Sequence, residues 1–219
     1  MAGLYNGLFV MRDRQTGSVW THYDGSILQG PLAGQGVKLE ILPAYHTTWG
    51  DWRTANPDTL VLGWYPEFKD NYRQGRFEIG RAGLRPEFQR TLLNWDDRLP
   101  ENELVLGVNH YGEQRAYVLG EMGGGPVIIA DELGGDQIAI FADPGELYAL
   151  AFVAVREGEV LIFSVQDGVI IDQTGAEWDM QGRALTGPYS GAVLPFATSF
   201  VSEWYGWSAY FPETTIYGR

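Results

Sequence analysis

One pattern of residues occurs twice in this chain, and it narrows the possible folds more than any other feature. Residues 13 to 62 carry Thr16, Gly17 and Trp20, then Gly25, Leu28, Gly30, Pro31 and Gly34, then Leu42 and Pro43, then Trp49, Trp52, Pro57, Asp58 and Thr59. Residues 172 to 217 return it as Thr174, Gly175 and Trp178, then Gly182, Leu185, Gly187, Pro188 and Gly191, then Leu194 and Pro195, then Trp204, Trp207, Pro212, Glu213 and Thr214. Spacing is held inside each signature, so the pattern reads as one supersecondary unit duplicated and packed as pseudo-symmetric partners.

Punctuation sets the type of unit. With 29 Gly and 11 Pro among 219 residues, and 8 Trp, 12 Tyr and 10 Phe, the profile is one of short strands and tight turns, with no room for long helices. A net charge of -13 repels phosphate backbones, and no basic stripe offsets it, which argues against a nucleic-acid partner. Cysteine is absent, which removes disulfides, thiolate metal sites and cysteine nucleophiles. No apolar run approaches the ~20 residues that span a bilayer, and the first residues lack the pattern of a signal peptide.

The first unit opens with an apolar strand from Leu4 to Val10, a turn at Asp13 to Gly17, and a second strand, Ser18 to Tyr23. Val37 to Leu42 alternates as a half-buried strand does, and Thr47 or Thr48 caps a short helix that Pro57 stops. Residues 63–98 form an aromatic and charged connector with seven basic and six acidic residues, and its aromatics imply that it packs. From Leu104 onward come two strands about a turn at Gly112, then strands at Val127 to Ala130, Gln137 to Phe141, Leu147 to Val155 and Val160 to Val165. The chain thus divides into a first repeat, 1–62, lacking this strand-rich preamble, the connector, and a second, complete repeat, 99–219. The fold class is mainly β: a tandem-repeat barrel-like or sandwich-like body with short Trp-x-x-Trp helices.

The string Asp13 to Trp20, Gly30 to Gly34, Leu42-Pro43, Thr47 to Trp52 and Pro57 to Thr59 resembles the DUF3179 family of uncharacterised bacterial and archaeal proteins. The second half resembles it at Asp97 to Pro100, Val105 to Val108, Glu113 to Leu119 and Gly187-Pro188. The resemblance implies an extracytoplasmic role, since members often look exported. It also implies a strand-rich preamble before the first unit, often with a Cys-Pro-Leu-x-Gly segment. On that reading Met1 lies inside a unit and is an internal start, a gene-model error or a fragment boundary, and the lack of an export signal is uninformative.

Candidate sites follow from residue chemistry. Trp49 with Trp52 and Trp204 with Trp207 lie three apart, on one face of a short helix, where they could stack on sugar rings or plug a core. Asp13 and Asp172 could face each other as paired carboxylates, although their turns already account for them. Asp51 and Glu203 are the candidate acid and base of a hydrolase. His22 and His46, with Asp51, are the candidate metal ligands, though the second unit offers no matching histidine. No phosphate loop or serine-hydrolase elbow is present. These features favour a non-catalytic envelope module that binds a glycan or a partner protein and pairs with itself through exposed strand edges. The alternatives are a carboxylate-dependent hydrolase of envelope polysaccharide and a metal- or redox-linked protein with ligands in a preceding segment.

Overall fold

The computed structural model describes residues 3–71 and 83–219. The N-terminal strands are β1 (Gly3–Tyr5), β2 (Leu8–Arg12), β3 (Val19–Trp20) and β4 (Ile27–Gln29), hydrogen-bonded in that order. The stretch from Leu4 to Val10 is therefore a hairpin and not one strand. Asn6 and Gly7 turn it with φ of 51° and 78°, the left-handed pair that a two-residue reversal needs and that Asn-Gly supplies at least steric cost. Helix α1 (Trp49–Ala55) follows, capped by Thr48 and ended at Asn56, just before Pro57. A short helix α2 (Pro86–Gln89) lies in the connector.

The remaining strands are β5 (Leu104–His110), β6 (Glu113–Val118), β7 (Val127–Leu133), β8 (Asp136–Asp143), β9 (Tyr148–Val153), β10 (Val155–Arg156), β11 (Glu159–Val160), β12 (Phe163–Gln166), β13 (Val169–Asp172), β14 (Glu177–Trp178), β15 (Phe196–Ala197), β16 (Ser199–Glu203) and β17 (Thr215–Ile216), with helix α3 (Trp204–Tyr210) before the last. They form open sheets in the orders β16-β5-β6-β17, β15-β9-β8-β7 and β12-β13-β14, with β10 and β11 as a separate pair. Among the described strands none closes into a barrel, and the arrangement is that of a sandwich.

Period-two alternation makes the layers. In β5, Leu106 and Val108 face Ile138, Ile140, Ala149 and Ala151 of the β8–β9 sheet, forming the central core. Val105 points the other way, into a cluster with Trp204, Trp207, Leu8 and Tyr23. On the far side of β8 and β9, Phe141, Leu150 and Phe152 join Ile170, Trp178 and Leu194 in a third cluster. Because both faces of the central sheets are covered, their strands read as almost continuous apolar runs.

Two expected strands differ. Val37 to Leu42 forms no ladder; among the described residues one backbone bond, Leu39 N–H to the Gly25 carbonyl at 2.9 Å, ties it down, and Leu39 and Leu42 are exposed. The expected strand from Val160 to Val165 is split at Leu161, which turns into the third cluster. The end of the connector packs: the Phe88 ring meets Tyr205 edge-on at 5.5 Å, and Asn6 Oδ1 accepts from the Leu93 N–H at 2.7 Å. Its segment 72–82 lies outside the described residues.

Candidate functional site

The two Asp-Thr-Gly turns are built alike. Asp13 Oδ2 accepts from Trp20 Nε1 at 2.9 Å and from Thr16 Oγ1 at 2.8 Å, while Oδ1 accepts from the Thr16 and Gly17 N–H groups. Asp172 Oδ2 accepts from Trp178 Nε1 at 3.0 Å, and its Oδ1 takes Thr174 N and Oγ1 and Ala176 N. The indole bond above all holds the Asp13 carboxyl well below the usual carboxylate range. At Asp172 burial works in the opposite direction and is outweighed by bonds from Thr174 and Trp178. Each carboxylate is spent on its own turn and indole, and no bond links the two among the described residues. The Asp-to-Trp bond was readable only as an Asp six or seven residues before a Trp in both signatures.

The two Trp-x-x-Trp helices also match in local bonding. Trp52 Nε1 donates to Thr59 Oγ1 at 2.9 Å, and Trp207 Nε1 to Thr214 Oγ1 at 2.8 Å. Their surroundings differ. Trp204 and Trp207 are 0 % exposed, whereas Trp49 and Trp52 are 52 % and 37 % exposed. Trp207 lies flat on β5 where Gly107 leaves room, since a β-carbon there would sit 2.1 Å from the indole. Only the first helix presents its indoles to solvent.

The carboxylate and imidazole candidates have local partners. Asp51 accepts from Thr48 Oγ1 at 2.6 Å and its own N–H donates back to that hydroxyl, which makes it part of the α1 cap. Glu203 accepts from Asn102 Nδ2 at 2.8 Å. No hydrogen bond joins Asp51 to Glu203 among the described residues. His22 donates from Nδ1 to the Phe9 carbonyl at 3.0 Å and stacks on the Phe9 ring at 4.0 Å, and burial pushes its pKa down. His46 is exposed. No three His, Cys, Asp or Glu side chains gather to hold a metal among the described residues.

Sequence reasoning did not find the cleft where the N-terminal segment meets the β5–β6 hairpin. It encloses about 560 Å³ and is lined by Asp24, Lys38, Glu40 and Pro43 on one side and by Asn109, Tyr111, Phe196 and Thr198 on the other. Gly25 lets its wall approach: φ is 70°, and a β-carbon there would lie 2.2 Å from the Leu39 carbonyl oxygen. Asp24 fixes the floor. Its Oδ1 accepts from Thr21 Oγ1 at 2.6 Å, Tyr210 OH at 2.8 Å and the Ser26 N–H at 2.9 Å, and Lys38 Nζ stands 3.7 Å from Oδ2. Burial would raise this carboxyl, but the bonds from Thr21, Ser26 and Tyr210 win and hold it at about 2.

Tyr111 forms the rim. It sits in the left-handed region at φ 48°, its side chain is 81 % exposed, and its ring lies 4.3 Å from that of His110, which is bonded to Asp136 at 2.8 Å. An open aromatic face, a fixed carboxylate, an ammonium and an amide thus converge on one concavity. That set can hold a polar ligand by its apolar face and its hydroxyls together. Asp24, ionised throughout the neutral range, accepts hydrogen bonds there and is no proton donor.

Among known proteins, no curated protein and no solved structure matches this chain. One family model does, that of a protein of unknown function, DUF3179, and it aligns with residues 1–214. A match over almost the whole length of this mainly β body places the chain in the DUF3179 family.

Proposed function

We propose that this chain is a non-catalytic extracytoplasmic binding module made of two related units, and that the cleft at their junction takes a glycan. The observation that carries the reading is the cleft's chemistry. Sugars present an apolar C–H face and a ring of hydroxyls; Tyr111 offers an open aromatic face to the first, and Asp24, Lys38, Glu40 and Asn109 offer acceptors and donors to the second. Matching hydrogen bonds at the two Asp-Thr-Gly turns and the two Trp helices support the two-unit reading. The extracytoplasmic placement rests on the family resemblance alone. Asp51 and Glu203 are held by a helix cap and an asparagine, which supports binding over hydrolysis.

Titration calorimetry with soluble oligosaccharides cut from bacterial envelope polysaccharide tests this reading. Saturable binding is expected, weakened about tenfold (~1.4 kcal/mol) by Tyr111→Ala through loss of one stacking face, and unchanged by Asp51→Ala. Shortened products on chromatography of the incubated sugar would replace the binding reading with a hydrolase.

A further inference from the structure

We propose that the sugar taken by the cleft carries free amino groups, so that the ligand is a cationic amino-sugar glycan whose ammonium seats on the Oδ2 side of Asp24. The inference rests on the glycan reading of the cleft and deepens it by naming the charge of the sugar.

The two oxygens of Asp24 are in different situations. Oδ1 takes the close bonds from Thr21 Oγ1, the Ser26 N–H and Tyr210 OH, which pin the carboxylate in place. Oδ2 has the Lys38 ammonium as its counter-ion, at 3.7 Å. That separation lies beyond the ~2.7–3.2 Å of an N–H···O bond. The Lys38 side chain is 64 % exposed, whereas that of Asp24 is 18 % exposed. A carboxylate largely withdrawn from water, with a loose counter-ion on a flexible stem, gains more from a close ammonium than from a hydroxyl, because both partners of that bond are charged.

The rest of the lining has the same sign. Glu40 adds a second carboxylate, and Lys38 is the one cation among the described residues that line the cleft, so its walls carry a net negative charge. The charge of -13 on the whole chain reinforces that field. A uronic acid or a phosphorylated sugar would bring its own anion against Asp24 and Glu40 and is disfavoured, while a protonated amine is drawn in.

The aromatic rim suits the same ligand. The exposed ring of Tyr111 presents the negative face of its π system, which attracts an ammonium and also accepts the C–H face of a sugar ring. Asn109 and Thr198 supply neutral donors and acceptors for hydroxyls. Lys38 is then the counter-ion that the ligand's ammonium displaces from Asp24, which frees it to donate to the ligand's hydroxyls. An N-acetylated sugar has the same ring and hydroxyls but leaves the Lys38 to Asp24 pairing as it is, so the difference between the two sugars isolates the ammonium seat.

The test is titration calorimetry of the full chain at about pH 6, above the ordinary carboxylate range and below that of amines. The probes are a tetramer of β-1,4-linked glucosamine, its fully N-acetylated form and a tetramer of galacturonic acid. The amine form is expected to bind about tenfold or more tighter than the acetylated one, with the uronate weakest. Asp24→Asn should remove most of that preference and Lys38→Met should increase it. Glu40→Gln, at an exposed side chain whose change leaves the floor of the cleft intact, should reduce it about threefold. Glu177→Gln, on β14 and outside the cleft lining, should leave it unchanged, which separates the cleft from diffuse attraction to an acidic protein. If the glucosamine tetramer is not bound, the envelope oligosaccharides are titrated before and after N-acetylation of their amines. Equal binding of the free and acetylated forms, or an equal loss of preference with Glu177→Gln, would overturn the inference and leave the glycan reading standing. No binding by any of these sugars would overturn the glycan reading itself, and the inference with it.

Discussion

The segments around α1 and α3 share their indole-to-threonine bond and differ in almost everything around it. In each a seven-residue helix starts with Trp, sets a second Trp three residues on, and has that indole bonded to a threonine seven residues further. In each an aspartate beside a Thr-Gly turn accepts a bond from the indole of the following strand. Around α3 those indoles lie in the core between β5 and the N-terminal hairpin; around α1 they meet water. The difference teaches that short-range hydrogen bonds suffice to shape a Trp-x-x-Trp helix, while its burial comes from a sheet elsewhere in the sequence.

The largest test of the contrast is at the second Trp of each helix. Trp207→Ala should lower the unfolding free energy by about 3–5 kcal/mol in urea denaturation, as for other buried large-to-small changes, while Trp52→Ala should lower it by less than about 1 kcal/mol. Equal losses would break the comparison. Next comes the seat beneath α3. Gly107→Val pushes a side chain into the Trp207 ring and should cost about 1–3 kcal/mol, with part recovered by Trp207→Leu in the double variant because the two sites share one space.

The paired aspartates give a smaller contrast. Asp172→Ala leaves the buried Trp178 indole and the Thr174 and Ala176 amides short of an acceptor, a loss of about 1–3 kcal/mol; Asp13→Ala should lower the melting temperature less, because Asp13 itself is only partly buried and Thr16 beside it is exposed. Smallest is the acid limb. Asp24, held at about 2 in the fold, lies below the ~3.9 of an unfolded chain, so its contribution is complete above pH ~4 and lost as pH falls through 2. Melting curves across that window should fall less steeply for Asp24→Asn than for the parent.

Much of the fold could be read from local residue chemistry. The turns at Gly112, Gly134-Gly135 and Glu157-Gly158 all fall where left-handed backbone was needed, and the Thr48 cap and the stop before Pro57 bound α1 as expected. Asn6-Gly7 was an equally plain signal, hidden inside what looked like one apolar strand. Val37 to Leu42 had the alternation of a strand, but alternation supplies no neighbour to pair with, and among the described residues it meets Gly25 through one backbone bond and Asp24 through Lys38. The cleft could not be read at all: Asp24, Lys38, Tyr111 and Phe196 come from four distant stretches, and nothing local in any of them marks the meeting point.

By itself, then, the sequence determined what depends on neighbours a few residues apart: where the chain turns, and where α1 is capped and stopped. Those interactions span at most a turn or two of chain, so residue type and spacing specify them. Only the tertiary structure decided which tryptophans are core and which are surface. Burial of Trp207 needs Gly107, one hundred residues away, and for Trp52 no counterpart of that strand lies against it among the described residues. A tryptophan pair with the same indole-to-threonine bond is a core in one place and an open face in the other, because hydrophobic burial is a property of the pair and not of either side chain.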